Sequence, residues 1–196
     1  MLPYIAVLER LGRRTSEILD ATVFCCGEVS DDWKFAGNDS LVYFLGKKVV
    51  KVYKLGRWPH MSLSERLHQV SLYQRITNLA SCLSDSEDWQ LRLPFNRISV
   101  PVRVIPIERI IQCSCCGSCA SVSEFIEGKN LEEAKRSSLP FDVAELKQAL
   151  PRFSLELNDR FSVFGISLTP INIKYLEGKL FITDLCSELS SLGERR

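Results

Sequence analysis

Apolar and polar positions along this chain follow two rhythms, one of period two and one close to 3.6, and the change between them marks the elements. Up to about Asp20, Ile5, Leu8, Leu11 and Ile18 share one face of a predicted helix. Ala21–Cys26 is a short apolar run. Leu41–Leu45 and Val49–Tyr53 are rich in β-branched and aromatic residues and flank Gly46-Lys47-Lys48, which predicts a tight β-hairpin. Ser62-Leu63-Ser64-Glu65 then has the form of a capping box, in which serine and glutamate satisfy backbone donors at a helix start. Behind it Leu63, Leu67, Val70, Tyr73, Ile76 and Leu79 recur at spacings of three and four, giving one apolar helical face. Cys82–Asp88 is polar and reads as a loop.

Strand texture returns in Ile98–Ile105 and Ile107–Ile111, and again in Ala120–Ile126. The cysteine-rich segment between the last two is expected to be the turn joining antiparallel strands. From Gly128 on the rhythm is helical. Asp142-Val143-Ala144-Glu145 matches a second capping box, and Val143, Leu146, Leu150, Phe153 and Leu157 follow on one face. Pro151 lies within that run and is expected to kink or divide it, because it lacks a backbone donor. A second hairpin closes the pattern: Ile173–Leu176, a Glu177-Gly178 turn, then Lys179–Asp184. Strands with one helix come first, and helices with a hairpin follow. That segregation predicts an α+β protein, divided near Ile126–Lys129 into residues 1–127 and 128–196.

Composition narrows the picture without redirecting it. A chain of 196 residues can bury one good core or two small lobes. Its formal net charge of +1 lacks the basic excess of a nucleic-acid binder. No apolar run is long enough to cross a bilayer, and the first residues lack a signal-peptide pattern, so a soluble cytoplasmic protein with no membrane partner is expected. The eight cysteines include the adjacent Cys25 and Cys26 and four in one segment, Cys113, Cys115, Cys116 and Cys119. Four thiolates can hold Zn²⁺ tetrahedrally. Structural zinc sites usually pair ligands from two distant segments, however, and this cluster is cramped, so a reduced hairpin tip is the simpler reading. His60 and His68 are not in metal-ligand spacing with it.

The last hairpin carries the chemistry. With Glu177-Gly178 as the turn, Leu176 faces Lys179, and counting outward sets Asn172 opposite Thr183, with Asp184 next. Directly paired residues stand about 4.5–5.5 Å apart, so Asn172 and Asp184 meet at the open end. An amide oxygen beside a carboxylate suits Mg²⁺ when phosphates supply further ligands. The plain alternative is that both residues cap strand ends.

Leu168-Thr169-Pro170-Ile171-Asn172-Ile173, followed by Gly178–Leu185, resembles the catalytic loop and metal-binding segment of protein-kinase-like phosphotransferases. The upstream features agree in order. Lys51 in Val49-Val50-Lys51-Val52 looks like the strand lysine that binds the α- and β-phosphates, although Lys47, Lys48 and Lys54 make an ordinary exposed strand lysine the competing reading. Glu65 opens the next helix, where the family carries the lysine's partner, although its capping role alone explains it. Phe125–Leu131 looks like the linker whose backbone holds adenine, which implies contacts at Glu124 and Ile126. Phe35–Val42 lines up with the glycine-rich loop, of which Gly37 alone survives. Among kinase-like families the chain most resembles the small YrbL-type family of the PhoP regulatory network.

The resemblance implies a two-lobed fold: an antiparallel sheet with one helix, then a truncated helical lobe ending in a hairpin. It also implies ATP and Mg²⁺ as cofactors, with Asn172 and Asp184 as metal ligands. The main departure is Ser167, which stands where the family has its catalytic aspartate. A serine hydroxyl cannot accept a proton near neutral pH, and losing a general base costs about 10²–10⁴-fold in rate. Gly165 and Ile166 also lack the family's His-Arg character, and Asp159 is close by in sequence. The expectation is a nucleotide-binding pseudokinase with a regulatory protein partner. An active phosphotransferase and a zinc-binding adaptor built on the cysteine turn are the alternatives.

Overall fold

The computed structural model describes residues 35–36, 40–53, 61–95, 98–112, 119–134, 139–186 and 189–195. The predicted first helix, the run Ala21–Cys26, Gly37, His60, and Cys113, Cys115 and Cys116 lie outside these residues. The described chain is α+β, with mainly antiparallel sheets and a strand-rich first half. It forms two compact units. One takes the residues up to 71 with 107–125, and the other takes 72–106 with those from 126 onward.

The first unit holds a five-stranded antiparallel sheet. Its strands are β1 (Phe35–Ala36), β2 (Ser40–Leu45), β3 (Lys48–Tyr53), β6 (Ile107–Gln112) and β7 (Cys119–Glu124), in the order β1-β2-β3-β7-β6. Gly46 and Lys47 form the two-residue turn of the predicted hairpin, and Leu45 faces Lys48 across it. Gly46 has φ of 58°, a left-handed conformation that glycine adopts at little cost. The expected antiparallel pairing on either side of the cysteine segment is present, with Gln112 opposite Cys119. One face of this sheet is the core. Tyr43, Val50 and Val122 form a row across three strands, and Val52, Ala120 and Ile111 form the next.

Helix α1 (Leu63–Ser86) begins at the predicted capping box. The Ser62 hydroxyl accepts from the Glu65 N–H at 3.3 Å, and Glu65 accepts from the Ser62 N–H at 2.6 Å. The helix continues through Cys82–Ser86, where the sequence suggests a loop. Tertiary contacts hold those last turns. The Ser84 hydroxyl donates to the Ser81 carbonyl at 2.9 Å and accepts from the Val104 N–H at 3.0 Å. The buried face is also rotated from the apolar stripe in the sequence. Val70, Tyr73 and Ile76 are buried, but Leu79 is 48% exposed while Thr77, Ala80, Ser81 and Ser84 turn inward. Small side chains there let a neighbouring backbone approach closely enough to bond Ser84, which a leucine could not.

The second unit is built on a four-stranded sheet. It contains β4 (Gln90–Arg92), β5 (Ser99–Val104), β9 (Ile173–Leu176) and β10 (Lys179–Ile182), in the order β4-β5-β10-β9. β5 pairs parallel with β10, Val102 opposite Leu180, and so joins the C-terminal hairpin rather than β6. Helix α2 (Val143–Arg160) buries Leu146, Leu150, Phe153 and Leu157 as its period predicts. Asp142 caps it by accepting from the Ala144 N–H at 2.9 Å. Pro151 does not divide this helix. It is exposed, so the carbonyl that its missing N–H leaves unbonded faces the solvent side. β8 (Val163–Phe164) and β11 (Gly193–Glu194) form a small antiparallel pair beyond α2.

Candidate functional site

The segment from Gly165 to Asn172 is irregular, so its backbone groups need partners outside a regular ladder. Two buried side chains on α2 supply them. Asn158 accepts from the Ile166 N–H and donates to the Ile166 carbonyl, both at 3.0 Å. The Ser154 hydroxyl accepts from the Leu168 N–H at 3.0 Å. Pro170–Asn172 then makes one 3₁₀ turn, with Pro170 at the start where no donor is needed, and the Asn172 N–H bonds the Thr169 carbonyl at 3.0 Å. Ile173 is buried at 1% exposure and begins β9.

The hairpin register is the one counted from the sequence. Leu176 faces Lys179 and Ile173 faces Ile182. One step further out, both the N–H and the hydroxyl of Thr183 donate to the Asn172 carbonyl, at 2.8 and 3.0 Å. The Ser167 N–H donates to the Leu185 carbonyl at 2.9 Å. The stretch 183–185 is therefore pinned at both ends to the stretch 167–172. Ser167, Asn172 and Asp184 belong to one hydrogen-bonded junction, and all three are partly exposed.

Asp184 is held in a defined orientation. Its Oδ1 accepts from the Tyr73 hydroxyl at 2.5 Å and from the Cys186 N–H at 3.3 Å. Asn172 uses its backbone in the turn and hairpin, and no described residue hydrogen-bonds its side-chain amide. The donor set is thus one carboxylate and one amide, both hard oxygens. It fits a Mg²⁺ ion that draws its other ligands from phosphates and water. Among the described residues, no group of three His, Cys, Asp or Glu side chains could hold a metal by itself.

The remaining sequence-predicted residues stand on other elements. Lys51, in the first unit, is central in β3 with Val42 and Ser121 directly opposite on the flanking strands. Val50 and Val52 beside it are buried at 1% and 4% exposure, so Lys51 points to the other face of the sheet. On that face the Ser121 hydroxyl is bonded by the Tyr53 hydroxyl at 2.8 Å. Glu65 is exposed, and its Oε2 accepts from both the hydroxyl and the N–H of Ser62. Those two bonds, the hydroxyl's first, hold its carboxyl below the usual carboxylate range.

Glu124 ends β7 opposite Lys48. Ile126, two residues on, is buried, and its carbonyl accepts from Lys174 Nζ at 2.5 Å. Burial lowers the Lys174 pKa, and Glu133 opposes that shift. The Leu131 N–H reaches the Pro170 and Ile173 carbonyls at 3.2 and 2.9 Å, so the segment 126–131 is tied to the same hairpin. Cys119 is buried in β7. Asp159 is exposed and paired with Arg195.

The Glu65 bonds have a consequence for pH. A depressed folded-state pKa means that the contribution to stability is present above the unfolded value. It starts to fade below the unfolded value, about 4.3 for a glutamate, and is lost as pH falls through the lower folded value. Comparing thermal midpoints of the wild type and Glu65→Gln from pH 7 to pH 3 should show a gap at neutral pH that closes on acidification. A gap independent of pH would overturn the assignment.

Sequence reasoning did not single out Tyr73, Ser154 or Asn158 as site residues. Ser154 and Asn158 had a readable signal. They stand four apart on the face of α2 that otherwise carries Leu146, Leu150 and Leu157, where a polar pair has no place unless it serves a backbone. Tyr73 sits within an apolar stripe and carried no such signal.

No family model matches the chain, and no curated protein matches it. Among solved structures it is similar to WbdD, known in a co-crystal with the kinase inhibitor LY294002, at 13% identity and a TM-score of 0.38. That match covers 83% of this chain and 33% of WbdD. It is also similar to Rv3197 of Mycobacterium tuberculosis, known in complex with erythromycin, at 13% identity and a TM-score of 0.41. There 98% of this chain and 56% of Rv3197 are covered. The chain spans about a third of the first protein and just over half of the second. Among the described residues, no helix is long and apolar enough to cross a membrane.

Proposed function

We propose that this chain is a kinase-like protein that binds Mg²⁺ and ATP, and that it acts as a pseudokinase through a regulatory partner rather than by phosphoryl transfer. The observation that carries the reading is the junction of Ser167, Asn172 and Asp184, closed by the Ser167–Leu185 and Asn172–Thr183 hydrogen bonds. Those bonds bring a loop residue, an amide and a carboxylate together in the order that kinase catalytic loops and metal segments follow. Two further features support it. Lys51 lies on the third strand, ahead of a long helix, in a sheet ordered β1-β2-β3-β7-β6. The segment 126–131, which follows β7 in the chain, bonds the start of the last hairpin through the Leu131 N–H.

In this reading Lys51 neutralises phosphate charge, Asn172 and Asp184 offer hard oxygens, and the backbone around Glu124–Ile126 contacts the base. Bound Mg²⁺ would neutralise charge between the phosphates. Ser167 stands at the base position without a basic group, and Asp159, the nearby carboxylate in sequence, pairs with Arg195. Binding without turnover follows from that chemistry.

Thermal denaturation with ATP, with and without Mg²⁺, tests this. Ligand at a hundredfold excess over Kd should stabilise the wild type by about 2.7 kcal/mol. The Mg²⁺-dependent part should vanish in Asp184→Ala, and no ATP turnover should be seen. An unshifted wild type would sink the nucleotide reading, and measurable transfer to a hydroxyl acceptor would sink the pseudokinase reading.

A further inference from the structure

Tyr73 lies on the buried face of α1 and is 4% exposed. Burying the ring needs no special account, because Val70 and Ile76 occupy the same stripe. The hydroxyl is different. A buried phenol needs a partner, and phenylalanine would fill the stripe without that demand. The partner is Asp184 Oδ1, 111 residues away in sequence, at the distance of a charge-assisted O–H···O⁻ bond. The Cys186 N–H donates to the same oxygen. Two donors converging on one oxygen fix both the rotamer and the plane of the carboxylate, and the phenol donates from a part of the chain remote from the hairpin.

From this geometry we infer that Tyr73 is a positioning residue for the divalent-cation site at Asp184. It touches neither cation nor nucleotide. It holds the carboxylate in one orientation and so sets how well Asp184 and Asn172 act together on a hard cation. The inference rests on the Mg·ATP reading above. Donors behind a metal ligand commonly carry about 10–100-fold of metal affinity, and the tyrosine hydroxyl is one here. The position of α1 is thereby coupled to the metal-binding end of the hairpin.

The test uses the full chain and the variant Tyr73→Phe, which keeps the ring and removes only the donor. Mg²⁺ is titrated at fixed, saturating ATP, and thermal midpoint is the readout. Direct Mn²⁺ titration of the ATP-loaded protein, by calorimetry, gives a second measure. The expected result is a Mg²⁺ half-saturation about 10–100-fold higher in Tyr73→Phe, with the stabilisation by ATP in chelator unchanged. A merely structural hydroxyl would lower the midpoint equally with and without Mg²⁺ and leave half-saturation where it was, and that overturns the inference alone. A wild type with no Mg²⁺-dependent shift overturns the underlying reading, and the inference falls with it. Should Tyr73→Phe fail to fold, Tyr73→His, which retains a ring N–H, is put through the same titrations. Wild-type half-saturation in that variant supports the inference if Tyr73→Leu shows the rise, and equal values in both overturn it.

Discussion

Replacing Gly165 with alanine should destabilise the protein by about 2–6 kcal/mol. Gly165 has φ of 93°, a conformation that costs a side-chain-bearing residue about 1–3 kcal/mol. A Cβ placed there would also lie 2.3 Å from the Ser191 carbonyl oxygen and 2.7 Å from the Leu192 Cα. Both are backbone atoms, so no rotamer change relieves the overlap. Forcing such a contact apart adds about 1–3 kcal/mol. In a chain of this size each kilocalorie lowers the thermal midpoint by about 2–4 °C. The natural control is Gly178→Ala at the hairpin turn. Gly178 has φ of 80°, yet a Cβ there would meet nothing within 4 Å. That variant should show the conformational cost alone, about 1–3 kcal/mol. Thermal or denaturant unfolding of both, followed by circular dichroism, separates the two terms. Equal effects would mean that the close approach of 191–192 to Gly165 is not maintained in solution.

That close approach illustrates what the sequence could and could not disclose. The hairpin around Glu177-Gly178 was legible because a two-residue turn fixes register by counting, and Asn172 falls opposite Thr183 as counted. The capping box at Ser62–Glu65 was legible because its spacing is local. The stripe on α2 was legible because apolar burial has a period. The partner of β5 was not. Its alternating residues suit several neighbours, and only the folded chain sets Val102 against Leu180. The continuation of α1 through Cys82–Ser86 was hidden for a related reason. Serines favour caps and loops by local chemistry, and the bond from Val104 to Ser84 that offsets this comes from another element.

The candidate site divides in the same way. Asn172 and Asp184 are neighbours through a local hairpin, whereas the Tyr73–Asp184 bond spans the chain and follows no periodicity. Glu65 is the ambiguous case. Its bonds to Ser62 account for a glutamate at that position, so the residue type does not separate a helix cap from a lysine's partner.

Asn158→Ala should cost about 2–6 kcal/mol. The Asn158 side chain is buried at 7% exposure, and Ile166, whose N–H and carbonyl it serves, is buried at 3%. Removing it leaves two buried backbone groups without partners, each costing about 1–3 kcal/mol. Ser154→Ala removes one such bond, to the Leu168 N–H, and should cost about half as much. The two bonds hold consecutive turns of one irregular segment, so the double variant should lose less than the sum of the singles. Hydrogen exchange supplies the site-specific measurement. The Ile166 amide should exchange faster in Asn158→Ala, and the Leu168 amide in Ser154→Ala, each beyond the change in global stability. The Ser167 N–H, bonded to the Leu185 carbonyl, lies between them and should lose protection in both variants. Because that bond joins the loop to the Asp184 segment, under the Mg²⁺·ATP proposal Asn158→Ala should also weaken Mg²⁺-dependent stabilisation by ATP, although Asn158 itself is assigned no part in holding the cation. Full protection at Ser167 with an unfolded-state cost elsewhere would mean that α2 supports the core alone, and that the junction at 167–185 stands without it.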